Sequence, residues 1–429
     1  MEVHVNPAIR FLRAVVIEFF LIGLGMVSGA WAQFAGPAPR HIQMVSPYAA
    51  SRVTQAAPNS FIPPQDVIYY GGPVLSNVQV VVVFWTGNVD AFEAINAEGF
   101  YRTVTSSAYM DLLTQYSPVL LNGQDGQPGS NQIIGRGSYG GAFLITPSVT
   151  GTMVDDTQIA AELVHQLNIG ALPQPQLDSS GNSNTLYMIY FPPGVTVSLQ
   201  GLQSCQVFCA YHNATIYSNT TFNNKPIAYA VIPDESDPGS LCHFLCGLDA
   251  NYLNNFDTVC SHELAEAVTD PAAGLTPDVA RPLGWYDANI IPVIQQQYGE
   301  IGDICAFVPA HIGGYMVQQV WSNADENCAA STSLMFTRVL VGSTAPQATV
   351  GQPVTLVALV LSSSLVNTGS VTFANGSAAL ATMPVNPMGF AVFTTSQLPV
   401  GLNKITAFYS RSGNFGASSS GVFNQNVGP

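Results

Sequence analysis

Charge is what this chain of 429 residues has least of. Asp, Glu, Lys and Arg together make up 9% of it, against about 25% in an average globular protein. Lysine occurs only at Lys225 and Lys404, and the net charge is −15. A chain so short of cations repels phosphate backbones, which excludes nucleic acid as a partner. No Asp or Glu follows Glu326, so the C-terminal part carries a different surface from the rest. Cysteine is also scarce. There are seven, and none lies beyond Cys328. The C-terminal part must therefore hold its core without a staple. Past the N-terminal segment no apolar run reaches the length of a membrane-spanning helix, about 20 residues.

What is present is apolar and uncharged polar. Hydrophobic residues make up 47%, so the surface must be built from Ser, Thr, Asn, Gln and Gly, a texture of exported proteins. The N-terminus fits export. Arg10 and Arg13 precede the mostly apolar stretch 14–27, interrupted by Glu18, and Ala30-Trp31-Ala32 is a small-x-small cleavage site. Residues 1–32 are expected to be a signal peptide and 33–60 an aperiodic leader rich in Ala, Pro, Gln and Ser. The mature protein is then secreted, extracellular or held at the cell surface.

Export makes disulfides available to the cysteines. Cys205/Cys209 and Cys242/Cys246 repeat a C-x3-C spacing, with His212 and His243 nearby. The spacing admits zinc, but oxidised staples suit an exported chain better. An odd count leaves at least one thiol over. Cys260, just before a His-Glu pair, is the candidate, as a small core residue.

Hydrophobic patterning predicts a main domain over 61–336 and a second over 337–429. Residues 78–85 (VQVVVVFW), 185–191 (TLYMIYF) and 227–232 (IAYAVI) read as strands buried on both faces. Helical spacing runs through 91–115 and through 155–169, where Asp155 or Asp156 can cap. Residues 123–141 read as loop, 142–145 as a short strand and 315–321 as another. This order implies an α/β or α+β core. From about residue 340, alternating runs at 353–361, 369–373, 390–394, 404–409 and 421–427 predict a small antiparallel β-sandwich.

The chemistry concentrates at 259–271, VCSHELAEAVTDP. Asp257 is positioned to cap a helix there and Pro271 to stop it. Positions four apart share a helix face, so His262 and Glu266 point one way and Asp270 continues the line. An imidazole and a carboxylate so placed can hold one divalent cation, and Glu263 stands where HExxH metallopeptidases carry their general base. Glu266 replaces the second His of that motif. A catalytic zinc site has three protein ligands. Glu300 in GEIGDIC is the expected third, with Asp303, Asp287, Asp270 and His212 as rivals or supporting groups. In the gluzincin class of metallopeptidases a downstream Glu completes the site and a nearby Asp orients a ligand His. Glu300 and Asp303 resemble that pair, one residue closer than usual. Zinc is the expected ion. The carboxylates also suit Mn or Ca, and they raise the pKa of a bound water, weakening its attack on a carbonyl.

Several stretches between 65 and 330 resemble the EXORDIUM or phosphate-induced protein family of secreted proteins: YYGGPVLSNVQVVVVFW, CQVFCAYHNAT, IAYAVIPDES, SHELAEAVTDP, and GWYD to GEIGDIC. The resemblance implies an extracellular protein without an established enzymatic activity. The plant members keep the end of the helix motif and lack the His-Glu pair, so the metal reading rests on this sequence's own residues. The stretch from GSVTFANG to GNFGASSS is similar to bacterial Ig-like repeats, which act as spacers or adhesive modules. Together these readings give a zincin-like helix within a mixed-sheet core, followed by an Ig-like sandwich. They leave two functions open. One is a metal-dependent hydrolase acting on peptides. The other is a non-enzymatic protein that binds cell-surface or wall material, with the His-Glu helix structural.

Overall fold

The computed structural model describes residues 66–178, 181–275, 281–287, 299–376 and 378–429, together with the short strand Met44–Val45. The expected signal peptide and, apart from that strand, the leader lie outside the described residues. The main domain is a mixed α/β sheet with helices on both faces. Its elements in chain order are β1 (Gln79–Phe84), α1 (Ala91–Thr105), α2 (Ala108–Leu113), β2 (Ser138–Leu144), α3 (Asp156–Asn168), β3 (Thr185–Tyr190), β4 (Ala210–Tyr217), β5 (Lys225–Ile232), α4 (Leu241–Leu245), α5 (Tyr252–Thr269) and β6 (Tyr315–Gln318). The sheet order is Met44–Val45, β4, β5, β3, β1, β2. β5, β3, β1 and β2 run parallel, and β4 pairs antiparallel to β5 with His212 opposite Ala230.

The β-branched run of β1 makes it the centre of the parallel part, because each of its side chains has a covered face to fill. Val80 and Val82 point to the side of α1 and α5, where Phe256, Val259, Leu264 and Val268 join Leu186, Met188 and Ile232. Val81 and Val83 point to the other side, against Ile159, Leu163 and Leu167 of α3. Each such side chain, fully buried, contributes about 1.5–3 kcal/mol. α3 begins with a capping box in which Asp155 accepts from backbone N–H groups and Gln158 reaches back.

Several boundaries differ from the sequence expectation, each for a local reason. The segment 91–115 is not one helix: Ser107 breaks it, its hydroxyl capping α2 by accepting from the Tyr109 N–H. β2 starts at Ser138, inside the stretch read as loop, because pairing with β1 outweighs its glycines. α5 is longer than its motif. It starts at Tyr252, with Asn251 accepting from the Leu253 N–H at 3.2 Å. Asp257 therefore does not cap the helix. It lies in its second turn and accepts from Asn96 at 2.6 Å. The stretch 315–321 is two short strands, β6 and Val320–Ser322, in separate hairpins.

The C-terminal part is a two-sheet β-sandwich. The five expected strands are present as Val354–Ser362, Ser370–Asn375, Phe390–Thr395, Gly401–Tyr409 and Phe423–Gly428. Ala378–Pro384 and Thr337–Ser343 add to them; Ala378–Pro384 is an exposed edge whose weak alternation hides it. The core centres on Leu356, Val371, Phe373, Ile405, Ala407 and Tyr409. No described helix is long and apolar enough to cross a membrane.

The cysteines pair as Cys205–Cys242, Cys209–Cys246 and Cys305–Cys328, and Cys260 is a buried free thiol. The two C-x3-C pairs thus cross-link to each other as parallel rungs and hold no metal. Burial pushes the Cys260 thiol well above its usual range. Alkylation followed by mass spectrometry should add nothing to Cys260 in the native protein and one adduct after denaturation without reductant. A modified native Cys260 would contradict this packing.

Candidate metal centre

Three pieces of chain meet at one buried point. α5 supplies His262, Glu263 and Glu266, with Asp270 as its C-terminal cap. α5 is buried around its whole circumference from Asn255 to Thr269, so its polar face points into protein rather than water. β4 supplies His212. The short helical turn Asp303–Cys305 and the residues before it supply Glu300 and Asp303. This last segment is held by Cys305–Cys328 and by the Trp321 N–H, which donates to the Ile301 carbonyl at 2.7 Å.

Glu266 is the hub. Its Oε1 accepts from the Asp303 N–H at 2.8 Å. Its Oε2 lies 3.1 Å from His262 Nε2 and 3.6 Å from His212 Nδ1. Around it, His212 Nδ1 is 3.3 Å from Glu263 Oε2, His212 Nε2 is 3.5 Å from Glu300 Oε2, and His262 Nε2 is 3.8 Å from Asp303 Oδ1. Two triads can each bring one ligand atom per residue within 4.8 Å of the others: His212–Glu266–Glu300 and His262–Glu266–Asp303. Atoms bound tetrahedrally at about 2.0–2.2 Å from zinc stand about 3.3–3.6 Å apart, which is the range of most of these separations.

The expected residues divide as follows. His262, Glu266, Glu300, Asp303 and His212 all reach the centre, but Glu300 groups with His212 and Asp303 with His262. Asp270 joins neither triad. Its Oδ1 accepts from the Gly284 N–H at 2.8 Å, and its backbone carbonyl faces His212 Nε2 at 3.1 Å. Asp287 also joins neither; it lies by Tyr70 and Asp66, whose pKa values its charge helps to raise. Gln318 and Gly302 have no counterpart in the sequence reading. Gln318 Nε2 is 2.8 Å from His262 Nδ1. A Cβ on Gly302 would sit 2.7 Å from Glu266 Oε1 and 2.9 Å from His262 Nδ1, so only glycine allows this approach. The sole sequence signal for either was a polar residue in the apolar run YMVQQVW and a glycine between two acids.

Burial dominates the electrostatics. His212, His262, Glu263, Glu266, Asp270 and Glu300 are at most 1% exposed, and Asp303 is 6% exposed. Burial raises Glu263, Glu300 and Asp303, and lifts Asp270 to about 7. Burial would lower His262, but Glu266, with Glu263 and Asp303, outweighs it and brings the pKa to about 10. Glu266 moves the other way: burial lifts it, and His262 then pulls it below the usual value. Glu263 Oε1, Glu266 Oε2, Asp270 Oδ2, both Glu300 oxygens and Asp303 Oδ2 find no hydrogen-bond partner. Among the described residues, the only basic side chains in contact with these carboxylates are the two histidines. Unpaired buried carboxylates are costly, and a divalent cation is the simplest group that satisfies several at once.

The sign of the pH dependence follows. A carboxyl whose folded pKa lies above its unfolded value holds its proton more tightly when folded, so stability falls as pH rises between the two. For Asp270 that window runs from 3.8 to about 7, and the shifts of Glu263, Glu300 and Asp303 act in the same direction. Metal-free protein should therefore melt at a lower temperature at about pH 8 than at about pH 5, and a divalent cation should restore the loss. A melting temperature that rises over this interval without metal would contradict the arrangement. Gly302→Ala should remove the cation's effect.

No curated protein matches the chain. The disulfides, the lack of a spanning helix among the described residues and the architecture past residue 337 are compatible with an extracellular protein. Residues 340–428 match the bacterial Ig-like domain (group 3) family, and the C-terminal sandwich is consistent with such a domain.

Proposed function

We propose that the main domain is an extracellular metal-binding module. In this reading one divalent cation, zinc first, sits against Glu266 and ties α5, β4 and the 300–305 segment together. The observation that carries it is the set of partnerless carboxylate oxygens converging around two buried histidines. A helix bearing His262, Glu263 and Glu266 on a buried face has little reason to exist without a cation, since each buried charge is otherwise a liability. The likeness of residues 65–330 to EXORDIUM proteins, which rests on motifs alone, agrees with a secreted binding role. With an Ig-like domain attached, cell-surface or wall material is the partner class. The near-complete burial of the described residues at the centre supports stabilisation over turnover.

A zincin-like hydrolase is the second reading, favoured by Glu263. Its Oε1 is free of hydrogen bonds and it stands beside the proposed ion, where it could take a proton from a metal-bound water. That role needs a path for peptide substrate to a centre whose described residues are almost fully covered.

Elemental analysis of purified protein separates these readings from a metal-free core. About one divalent ion per chain is expected, and its loss in Glu266→Ala. Ligand at about 100 times its Kd adds about 2.7 kcal/mol, which in a domain of this size is about 5–10 °C of melting temperature; a chelator should remove that increment. Protein without metal and indifferent to chelator overturns the proposal. Cleavage of a peptide library by wild type but not by Glu263→Gln would move the reading to a hydrolase.

A further inference from the structure

The two histidines at the centre look interchangeable by distance, but their hydrogen bonds give them different roles. The Gln318 side-chain amide is fixed by two backbone groups of opposite kind. Its Oε1 accepts from the Phe307 N–H at 2.9 Å, and its Nε2 donates to the Gly302 carbonyl at 2.9 Å. Turned over, the amide would set N–H against N–H and oxygen against oxygen. Nε2, which has only protons to offer, therefore faces His262 Nδ1 at 2.8 Å. His262 Nδ1 must accept, which keeps the ring neutral against the pull of the surrounding carboxylates, and its one proton belongs on Nε2. Nε2 lies 3.1 Å from Glu266 Oε2 but out of line for a hydrogen bond, so neither atom has a hydrogen-bond partner. A metal on Nε2 would require a ring stripped of both protons.

His212 is the reverse case. Its Nε2 faces the Asp270 carbonyl at 3.1 Å and so carries the proton. Its Nδ1 then presents a lone pair toward Glu263 Oε2 at 3.3 Å and Glu266 Oε2 at 3.6 Å. A lone pair facing two carboxylates is repulsive, so Nδ1 holds either a second proton, donated to Glu263, or a metal cation in that proton's place. A ligating histidine whose other ring nitrogen donates to a backbone carbonyl is the usual pattern at metal sites.

We infer that Gln318 is a positioning residue that holds His262 with its proton on Nε2, beside Glu266, and that His212, through Nδ1, is the histidine that binds the cation with Glu266. This inference rests on the metal-binding reading for its second half only. It assigns the metal to a β-strand residue rather than to the helix residue that HExxE spacing suggests.

The test is 15N–1H correlation of histidine rings in the 15N-labelled full protein, with zinc as the probe and single variants to assign the signals. Before zinc, His262 is expected to show a protonated Nε2 and an unprotonated Nδ1. On adding zinc, His212 Nδ1 should move strongly while His262 keeps its Nε2 proton. In Gln318→Leu the fixed His262 tautomer should give way to a mixture, a change that loss of packing alone would not cause. By zinc titration, His262→Gln, which keeps an N–H donor, should bind within a few-fold of wild type, and His212→Gln should bind at least about 100-fold more weakly. A proton on His262 Nδ1, or loss of the Nε2 proton to zinc, overturns the inference. Failure to bind zinc or any other divalent ion overturns the metal-binding reading, while the tautomer of His262 still decides the role of Gln318. Should the variants misfold, the wild-type spectra with and without zinc still decide both halves.

Discussion

The main domain is organised by a constraint on α5: a helix enclosed on every side has to carry two glutamates and a histidine into the interior. Everything around it answers that constraint. Strand β4 runs antiparallel to β5 and delivers His212 to one side. The 300–305 turn delivers Glu300 and Asp303 to the other. Glu266 sits where these meet, one oxygen tied to the Asp303 backbone and the other aimed between two imidazoles. Burial makes each unpaired carboxylate expensive, so the cluster has a meaning only as a whole. Removing Glu266 would strip the shared partner from every other member.

Rigid supports surround the cluster. The paired rungs Cys205–Cys242 and Cys209–Cys246 join the entry of β4 to α4, shortly before α5 begins. Cys305–Cys328 closes the segment bearing Glu300 and Asp303 against the strand pair that follows β6. The chain is thus tethered covalently on both sides of the centre. Two further stretches adjoining it in sequence, 276–280 and 288–298, lie outside the described residues.

The sequence was most legible where one physical rule acts alone. Long β-branched runs announced β1, β3 and β5, because burial on both faces leaves no alternation to confuse them. Regular alternation announced the C-terminal strands, and the exposed edge at 378–384, with its weak pattern, escaped. Boundaries failed where a single side chain decides: Ser107 splits a helical pattern that looks continuous, and Asn251 starts α5 well before the motif. At the centre, helix spacing alone put His262, Glu263 and Glu266 in one region, while Glu300 and Asp303 were reached only through the resemblance of GEIGDIC to the gluzincin pattern. It could not show that His212 would arrive from a strand fifty residues upstream, since no local pattern links them. Nor could it show Gln318, whose importance comes from the direction of an amide, a property of three-dimensional neighbours. The EXORDIUM likeness and the export signal remain statements about sequence.

The absence of acids after Glu326 has a consequence for how the molecule would lie near a surface. Past residue 336 the chain carries Arg338, Lys404 and Arg411 and no carboxylate side chain, so the whole acidic excess belongs to the rest of the protein. The protein is an electric dipole with a weakly positive β-sandwich at one end of the chain and a strongly negative main domain. Beside an anionic polymer or membrane, within the roughly 8 Å over which charges act at physiological salt, the field turns the sandwich inward and the main domain away. The arrangement sets orientation before any specific contact forms, and it would weaken as salt rises.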